Sequence, residues 1–499
     1  MKFVFPLLVV LLAVFAVAPL AYPGAFQSQS GLLPVYYLMD LHAHPSLDWT
    51  PTMGRAYDLL RGEGVLPYLL AELFRLIGFG ALDAIKIVYA LTLIASGLAM
   101  FALARMLFDN DDVAGLIAAL VYVYLPYHLA TVYVLGAFAE SLAWALWPVA
   151  MWSLARARVV PTMIVFAALF LTLPGLAILF GVVAFVFAAL VRKRSRGEML
   201  RGVGMIVAGL VVGAILMVPA IVKNGAAQAA DGFEATYVLP FQLFVSNFSD
   251  APYQLGIVPL GLAIIAVALG WRVKSQACRI IASALGLGLV LTLLVLSPAS
   301  VVWEYARLSA LAARPYELLG FVGLLLGVIA GAVVVFEPRL KTAPLMAALA
   351  ILPILATYAY LTPRYLDFAP TRPIAAQFDD VALLDYQISG PLRHGATVRV
   401  NMQWQALKRV AHDYTVFVQV RDANGKVFGQ QDIQPQEGAY ATIKWSAGEV
   451  ISDTHTVQID VTGPREGYSL YAGLYTAADG VRAKTREGAT EIQLVPSGE

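Results

Sequence analysis

The residues best equipped for chemistry lie early in the chain. They are Asp40-Leu-His42-Ala-His44-Pro-Ser-Leu-Asp48-Trp49, followed by Arg55, Tyr57, Asp58, Arg61 and Glu63. Carboxylates beside imidazoles and guanidinium groups suit group transfer: a carboxylate takes the proton of an acceptor hydroxyl while Arg or His holds a phosphate leaving group. Read singly, the same residues are what keeps a loop in water. His42 and His44, at i and i+2, would project to one side of a strand. That opens a second use, a divalent metal held between them and the loop carboxylates. An amidohydrolase needs further His and Asp ligands on later strands. This chain has only six His, with His128 in or near an apolar run and His394, His412 and His455 in the tail.

These residues must be positioned by a membrane-embedded scaffold. Of 499 residues, 60% are hydrophobic and 13% charged, and the mean hydropathy is +0.73. Soluble chains are nearer half apolar and a quarter charged. A net charge of +1 gives no global field for nucleic acid, and a single cysteine, Cys278, allows no intrachain disulfide. Apolar runs long enough to cross a hydrocarbon core begin with Phe3–Tyr22, where Pro19 argues against cleavage after Ala21 and for a retained span. Others cover Ala84–Leu103, Val113–Thr131, Phe138–Ala155, Met163–Val191, Val203–Val222, Ile257–Trp271, Ile280–Leu296, Phe321–Phe336 and Pro344–Leu361. The Leu173-Pro174-Gly175 break divides the long fifth run into a tight pair of helices, giving about eleven spans.

Arg105, the Arg156/Arg158 pair, Arg192-Lys193-Arg194, Arg272, Lys274, Arg279, Arg339 and Lys341 fall on one side of that topology. By the positive-inside pattern this side is cytoplasmic, with the N-terminus inside and the C-terminus outside the plasma membrane. Transmembrane residues 1–361 then carry external loops at 23–83, 223–255 and 297–319. Within the first loop, Val65–Gly78 has the helical spacing of an interfacial helix. Glu140 and Arg314 stand at external ends of apolar runs. A helix-dipole partner and an interfacial anchor are their structural alternatives to catalysis and phosphate binding.

After a linker at 362–375 the pattern changes to period-two alternation, as in Val398–Trp404 and Tyr414–Val420. Asn424-Gly425 and Asp479-Gly480 are hairpin signals, the second between Tyr468–Tyr475 and Val481–Lys484. Residues 376–499 are expected to form an all-β sandwich outside the cytoplasm. Trp404, Trp445 and Tyr475 are either sugar-stacking residues of a glycan- or protein-binding module, or core and rim residues of the sandwich.

The chain resembles the multi-spanning bacterial membrane proteins termed 6-pyruvoyl-tetrahydropterin synthase-related, which are similar to lipid-linked-sugar glycosyltransferases of the GT-C superfamily. The likeness is carried by Asp40-Leu-His42-Ala-His44, Trp49-Thr-Pro51-x-x-Gly54-Arg-Ala-Tyr57 and Tyr124-Leu-Pro126-Tyr127-His128. It extends through Tyr133-Val-Leu-Gly136-Ala137-Phe-Ala-Glu140, Arg314-Pro315-Tyr316-Glu317, Tyr414-Thr-Val-Phe-Val and Trp445-Ser-Ala-Gly448-Glu449-Val450. Leu135 departs from an Arg of that pattern, and Leu173-Pro174 from a Ser-His-Asn.

The resemblance implies a polytopic GT-C-like helical domain followed by the sandwich, and sugar transfer from a polyprenyl-phosphate donor to an extracytoplasmic acceptor. It places the general base on Asp40, with Asp48 or Asp58 as alternatives and Glu140 as a further acid. Substrate contacts fall on His42, His44, Arg55, Tyr57, Tyr133, Arg307, Arg314 and Glu317. The alternative is an inactive relative, a membrane scaffold whose sandwich binds glycan or a protein. Transport fits worst, since the runs are nearly free of charge and show no clear repeat.

Overall fold

The computed structural model describes residues 4–22, 24–52, 57–191, 195–224, 233–244, 252–271, 273, 275–363 and 375–495. Two compact units divide the chain. Met1–Tyr22, Phe26–Phe74 and Ala84–Arg364 form the first; Pro23–Ala25, Arg75–Asp83 and Tyr365–Glu499 form the second.

The helices run in order from α1 (Val4–Val17), α2 (Leu33–Ala43) and α3 (Leu66–Leu76) to α4 (Ala81–Leu107), α5 (Asp112–Val123), α6 (Pro126–Ala130) and α7 (Phe138–Ala155). Then come α8 (Val159–Phe170), α9 (Pro174–Val191), α10 (Arg196–Leu216), α11 (Val218–Asn224), α12 (Ile257–Gly270) and α13 (Gln276–Val295). The last are α14 (Ser300–Tyr305), α15 (Leu319–Gly331), α16 (Val333–Phe336) and α17 (Ala343–Ala356). Polar caps set several starts. The Asp111 carboxylate accepts the Val113 and Ala114 N–H groups before α5, and Ser195 with Glu198 forms a capping box at α10.

Six of the described helices are long and apolar enough to cross a bilayer, or seven if α5 and the bent segment after it count as one broken span. This corrects the expectation of about eleven. The runs at α8, α12 and α17 form helices of 12, 14 and 14 residues, short of the roughly 20 needed for a straight crossing. α7 is diluted by Glu140, two serines, three tryptophans and Pro148. Periodicity alone does not separate such buried helices from spans. Of the basic residues expected on the cytoplasmic side, Arg192-Lys193-Arg194, Arg272 and Lys274 lie outside the described residues.

The first apolar segment is built into the helical unit. Tyr124 donates its hydroxyl to the Leu12 carbonyl, Tyr133 to the Ala16 carbonyl at 2.5 Å, and Lys86 Nζ to the Tyr22 carbonyl at 2.7 Å. α8 and α9 form the expected tight pair, with Pro174 opening α9 where its missing N–H costs nothing. α3 forms a helix within the Val65–Gly78 stretch, as its spacing predicted. It buries Pro67, Tyr68 and Ala71 and exposes Leu69, Leu73 and Leu76.

The second unit carries two antiparallel four-stranded sheets. Their strands are β1 (Ala376–Phe378), β2 (Val381–Ser389), β3 (Thr397–Ala406), β4 (Tyr414–Arg421), β5 (Val427–Ile433), β6 (Val450–Gln458), β7 (Ser469–Thr476) and β8 (Ile492–Leu494). Strand order is β1-β2-β3-β6 in one sheet and β5-β4-β7-β8 in the other, and alternate residues of both sheets share one core. Gly425, at φ 80°, turns the predicted β4–β5 hairpin. The second predicted hairpin forms as a short one: Gly480, at φ 72°, turns it, Tyr475 bridges Arg482, and the Thr476 and Ala483 N–H groups donate to the Val481 and Leu474 carbonyls, while β8 pairs farther back along β7 at Leu470–Ala472.

Candidate functional site

The loop before α3 is held by buried charge and close backbone contact. Asp58 takes the Arg61 Nε at 2.7 Å and the Arg61 backbone N–H at 3.1 Å, and both side chains are under 10% exposed. The Gly64 N–H donates to the Thr172 carbonyl, the Leu66 N–H to the Leu171 carbonyl and the Gly175 N–H to the Leu60 carbonyl. The tip of the α8–α9 pair thus closes on this loop with no room for side chains. Asp58→Asn leaves the Arg61 charge without that carboxylate in a buried site. It is expected to cost about 3 kcal/mol, read as a fall in thermal stability of the purified protein.

Glu63 follows Arg61 in the same loop. Its carboxyl accepts the hydroxyl of fully buried Tyr68, and its backbone carbonyl accepts the Tyr57 hydroxyl at 3.1 Å. Burial pushes the Glu63 carboxyl above the usual carboxylate range, and Tyr68 and the Arg314 charge draw it part of the way back. Tyr68 in turn packs edge-on against Trp49, at 5.6 Å between ring centroids, and against Phe138 at 5.2 Å.

Arg314 is the basic centre. Its Nε and Nη2 hold Glu234 in a bidentate pair at 2.7 and 3.0 Å, and the Glu234 N–H donates to the Ala313 carbonyl. The pair holds the Glu234 carboxyl below its usual range and the guanidinium further above its own. Glu317 accepts the Ala313 N–H at 3.2 Å. Glu63, Glu140 and Glu317 all lie within electrostatic reach of Arg314. Glu140 is 6% exposed, in the first turn of α7. Tyr316 joins the group, with Tyr253 at 4.6 Å and Tyr127 at 6.5 Å between ring centroids. An apolar cavity of about 510 Å³ opens between α12, α13 and α15, lined by Leu255, Ile264, Ala284, Leu289, Val322 and Leu325 among others.

The other sequence candidates lie elsewhere or already have partners. Asp40, in the last turn of α2, accepts the Trp49 indole N–H at 2.8 Å and meets His44 at 3.2 Å. His42 meets Glu72 at 2.7 Å. The strand reading of this segment is corrected, because His42 lies in the last turn of α2 and His44 just past its end, and they meet different carboxylates. Among the described residues no group of three or more His, Cys, Asp or Glu is placed to hold a metal ion. Asp48 pairs with Lys223 at 3.0 Å; its carboxylate is lowered by the Ser46 hydrogen bond first and by Lys223 next. Tyr133 is buried against α1, Arg307 is exposed beyond α14 in left-handed backbone, and Arg55 lies outside the described residues. Leu135, at the departure from the family Arg, is buried in the core.

Glu63 was in the sequence cluster but undistinguished there. Tyr316 stood inside the Arg314–Glu317 motif without a role of its own, and Tyr68 and Glu234 carried no motif that set them apart as site residues.

In the second unit, Trp404 and Trp445 are 0% and 2% exposed, so neither indole offers a face to a sugar. The Tyr471 ring is covered by Arg421 and the Phe417 ring by Arg482, and Glu491 holds both arginines. The Trp445–Val450 motif builds a turn instead. Ser446 and Glu449 close it on each other, Tyr440 donates to Glu449, and the Ser446 hydroxyl accepts the Leu82 N–H.

Fold and site together define a helical membrane protein that carries an antiparallel β-sandwich. The chain matches no family model and no curated protein.

Proposed function

We propose that this protein is a GT-C-type glycosyltransferase of the plasma membrane. It moves a sugar from a polyprenyl-phosphate donor to an acceptor hydroxyl outside the cytoplasm. The observation that carries the reading is the gathering of Glu63, Glu140 and Glu317 around Arg314 beside an apolar cavity. Arg314 precedes a 3-10 turn, Pro315–Leu318, that leads straight into α15, and Val322 of the cavity wall lies in the first turn of that helix, so one ligand could place its phosphate on the arginine and its isoprenoid chain in the cavity.

Glu63 is the base. The acceptor oxygen attacks the anomeric carbon as its proton passes to the Glu63 carboxylate, and the bond from that carbon to the phosphate oxygen breaks. Arg314 balances the charge left on the phosphate, using the guanidinium edge beyond the Glu234 pair. Asp40 acts as a positioning residue: it holds Trp49, which packs on Tyr68, which donates to Glu63.

The scaffold reading draws support from one observation. Asp40, Asp48 and Asp58 each already have a partner in the folded chain.

The test is label transfer and release from a panel of polyprenyl-phosphate sugars by the purified full chain. Turnover of at least one donor is expected, falling tenfold or more in Arg314→Lys, which keeps the charge but loses the planar fork (roughly 1.4 kcal/mol or more). A well-folded protein that turns over no donor sinks the transferase reading in favour of the scaffold.

A further inference from the structure

We propose that the turn at 440–449 is a membrane-seated foot of the β-sandwich: Ile443 enters the lipid leaflet and Lys444 meets a headgroup phosphate. The turn grips residues 75–83, which carry the chain from α3 into α4, and every residue in the grip belongs to the second unit. Arg75 Nη1 donates to the Tyr440 hydroxyl at 3.4 Å and stands 3.8 Å from the Glu449 carboxylate. The Leu82 N–H donates to the Ser446 hydroxyl at 2.9 Å. Between these points the two backbones touch. A Cβ on Gly80 would run into the Lys444 carbonyl oxygen, and the Lys444 Nζ lies 3.5 Å from where a Cβ on Gly78 would be.

Chain continuity says what covers the outer side of this grip. α4 is 27 residues long, about 40 Å of helix, which matches a bilayer of about 40–45 Å with its headgroups included. Its first residues therefore stand at headgroup level. Ile77 and Phe79, just before α4 begins at Ala81, are both exposed there, Ile77 at 71%. The same exposed side continues back along α3. Leu69, Leu73 and Leu76 fall at i, i+4 and i+7, opposite buried Tyr68 and Ala71. An apolar stripe that ends where a spanning helix begins fits lipid, and a second copy of the chain would have to cover residues the leaflet already reaches. Ile443, 44% exposed, and Lys444 lie in the single turn Thr442–Lys444, which the Gly80 contact holds at this level. An isoleucine there gains by entering the acyl boundary. The lysine stem lies along the same boundary while its ammonium reaches the phosphates.

The test uses the full chain in nanodiscs of phosphatidylcholine and phosphatidylglycerol, in a Cys278→Ser background. One fluorescent label is placed at Ile443→Cys or, as the control, at Val461→Cys. Both positions are exposed, so neither label disturbs packing. Val461 lies past the far end of β6, a nine-residue strand of about 30 Å that starts directly after the turn. Lipid carrying a nitroxide near the top of its acyl chain is expected to quench the Ile443 label by about half and to leave Val461 unchanged. Aqueous iodide should do the reverse. Lys444→Glu should weaken the quenching at Ile443, most in discs rich in phosphatidylglycerol, and an unchanged signal overturns the headgroup contact. Iodide quenching at Ile443 equal to that at Val461 overturns the foot. So does shielding from iodide without lipid quenching, which would mean that protein covers this face. Equal lipid quenching at both positions would lay the whole sandwich on the bilayer and also overturns it.

Discussion

Glu63→Gln is expected to lower sugar transfer by about 10²–10⁴-fold, the usual worth of a general base, without lowering thermal stability. The two readouts separate because burial acts on them with opposite sign. The folded Glu63 carboxyl is raised above its unfolded value by desolvation. Its contribution to stability is therefore full below the ordinary glutamate pKa of about 4.3 and is lost as pH rises through the folded value. At neutral pH the ionised carboxylate is a burden that the neutral amide escapes, while the amide oxygen can still accept the Tyr68 hydroxyl. Activity runs the other way. The base must be ionised, so transfer should rise with pH through that same raised value, and the acid limb of kcat/KM should sit above the ordinary glutamate range. The measurement is a kcat/KM profile from pH 4 to 8 for both proteins, with thermal unfolding alongside. Unchanged turnover in the variant would remove Glu63 as base and return the role to Asp40 or Glu140.

Gly175→Ala should be among the most damaging single-methyl changes in the helical unit. A Cβ at Gly175 would lie 1.9 Å from the Leu311 carbonyl oxygen and 2.6 Å from that of Leu60. Both obstacles are backbone, so no side chain can swing aside. The loop at 57–66, the α8–α9 tip and the segment leading to Arg314 must instead separate. The expected cost is about 3 kcal/mol, the upper end of overpacking. Because Leu60 and Leu311 flank the residues that carry Glu63 and Arg314, transfer should fall with stability. Gly204→Ala is the control. Nothing lies within 4 Å of its Cβ position, and alanine in a helix gains about 0.5–1 kcal/mol over glycine. Comparable melting temperatures for the two variants would show that the three segments are not in register as described.

Much of this molecule could be read along the chain. The α8–α9 pair was legible because Leu173-Pro174-Gly175 interrupts an apolar run too long for one span. The β4–β5 hairpin was legible because Asn424-Gly425 separates two alternating segments. The span count was not. α8, α12 and α17 are as apolar as spans but too short, and their ends are fixed by helix termini that hydropathy does not mark. His42 and His44 were misread as strand neighbours, since the five residues from Asp40 to His44 alternate polar and apolar and are too few to tell a strand from the last turn of a helix.

The sequence by itself determined the membrane-embedded helices, the β-rich tail and the polar segment from Asp40 to Glu63, because these depend on composition and local period. Only the tertiary structure decided which partner each acid in that segment takes. Asp40, Asp48 and Asp58 look as able as Glu63 in one dimension, but packing gives them Trp49, Lys223 and Arg61 and gives Glu63 the buried Tyr68 hydroxyl. Where the partners lie far apart in the chain, as Asp48 and Lys223 or Glu234 and Arg314 do, the choice is a property of the packed molecule. It follows from how helices pack, and no local pattern encodes it.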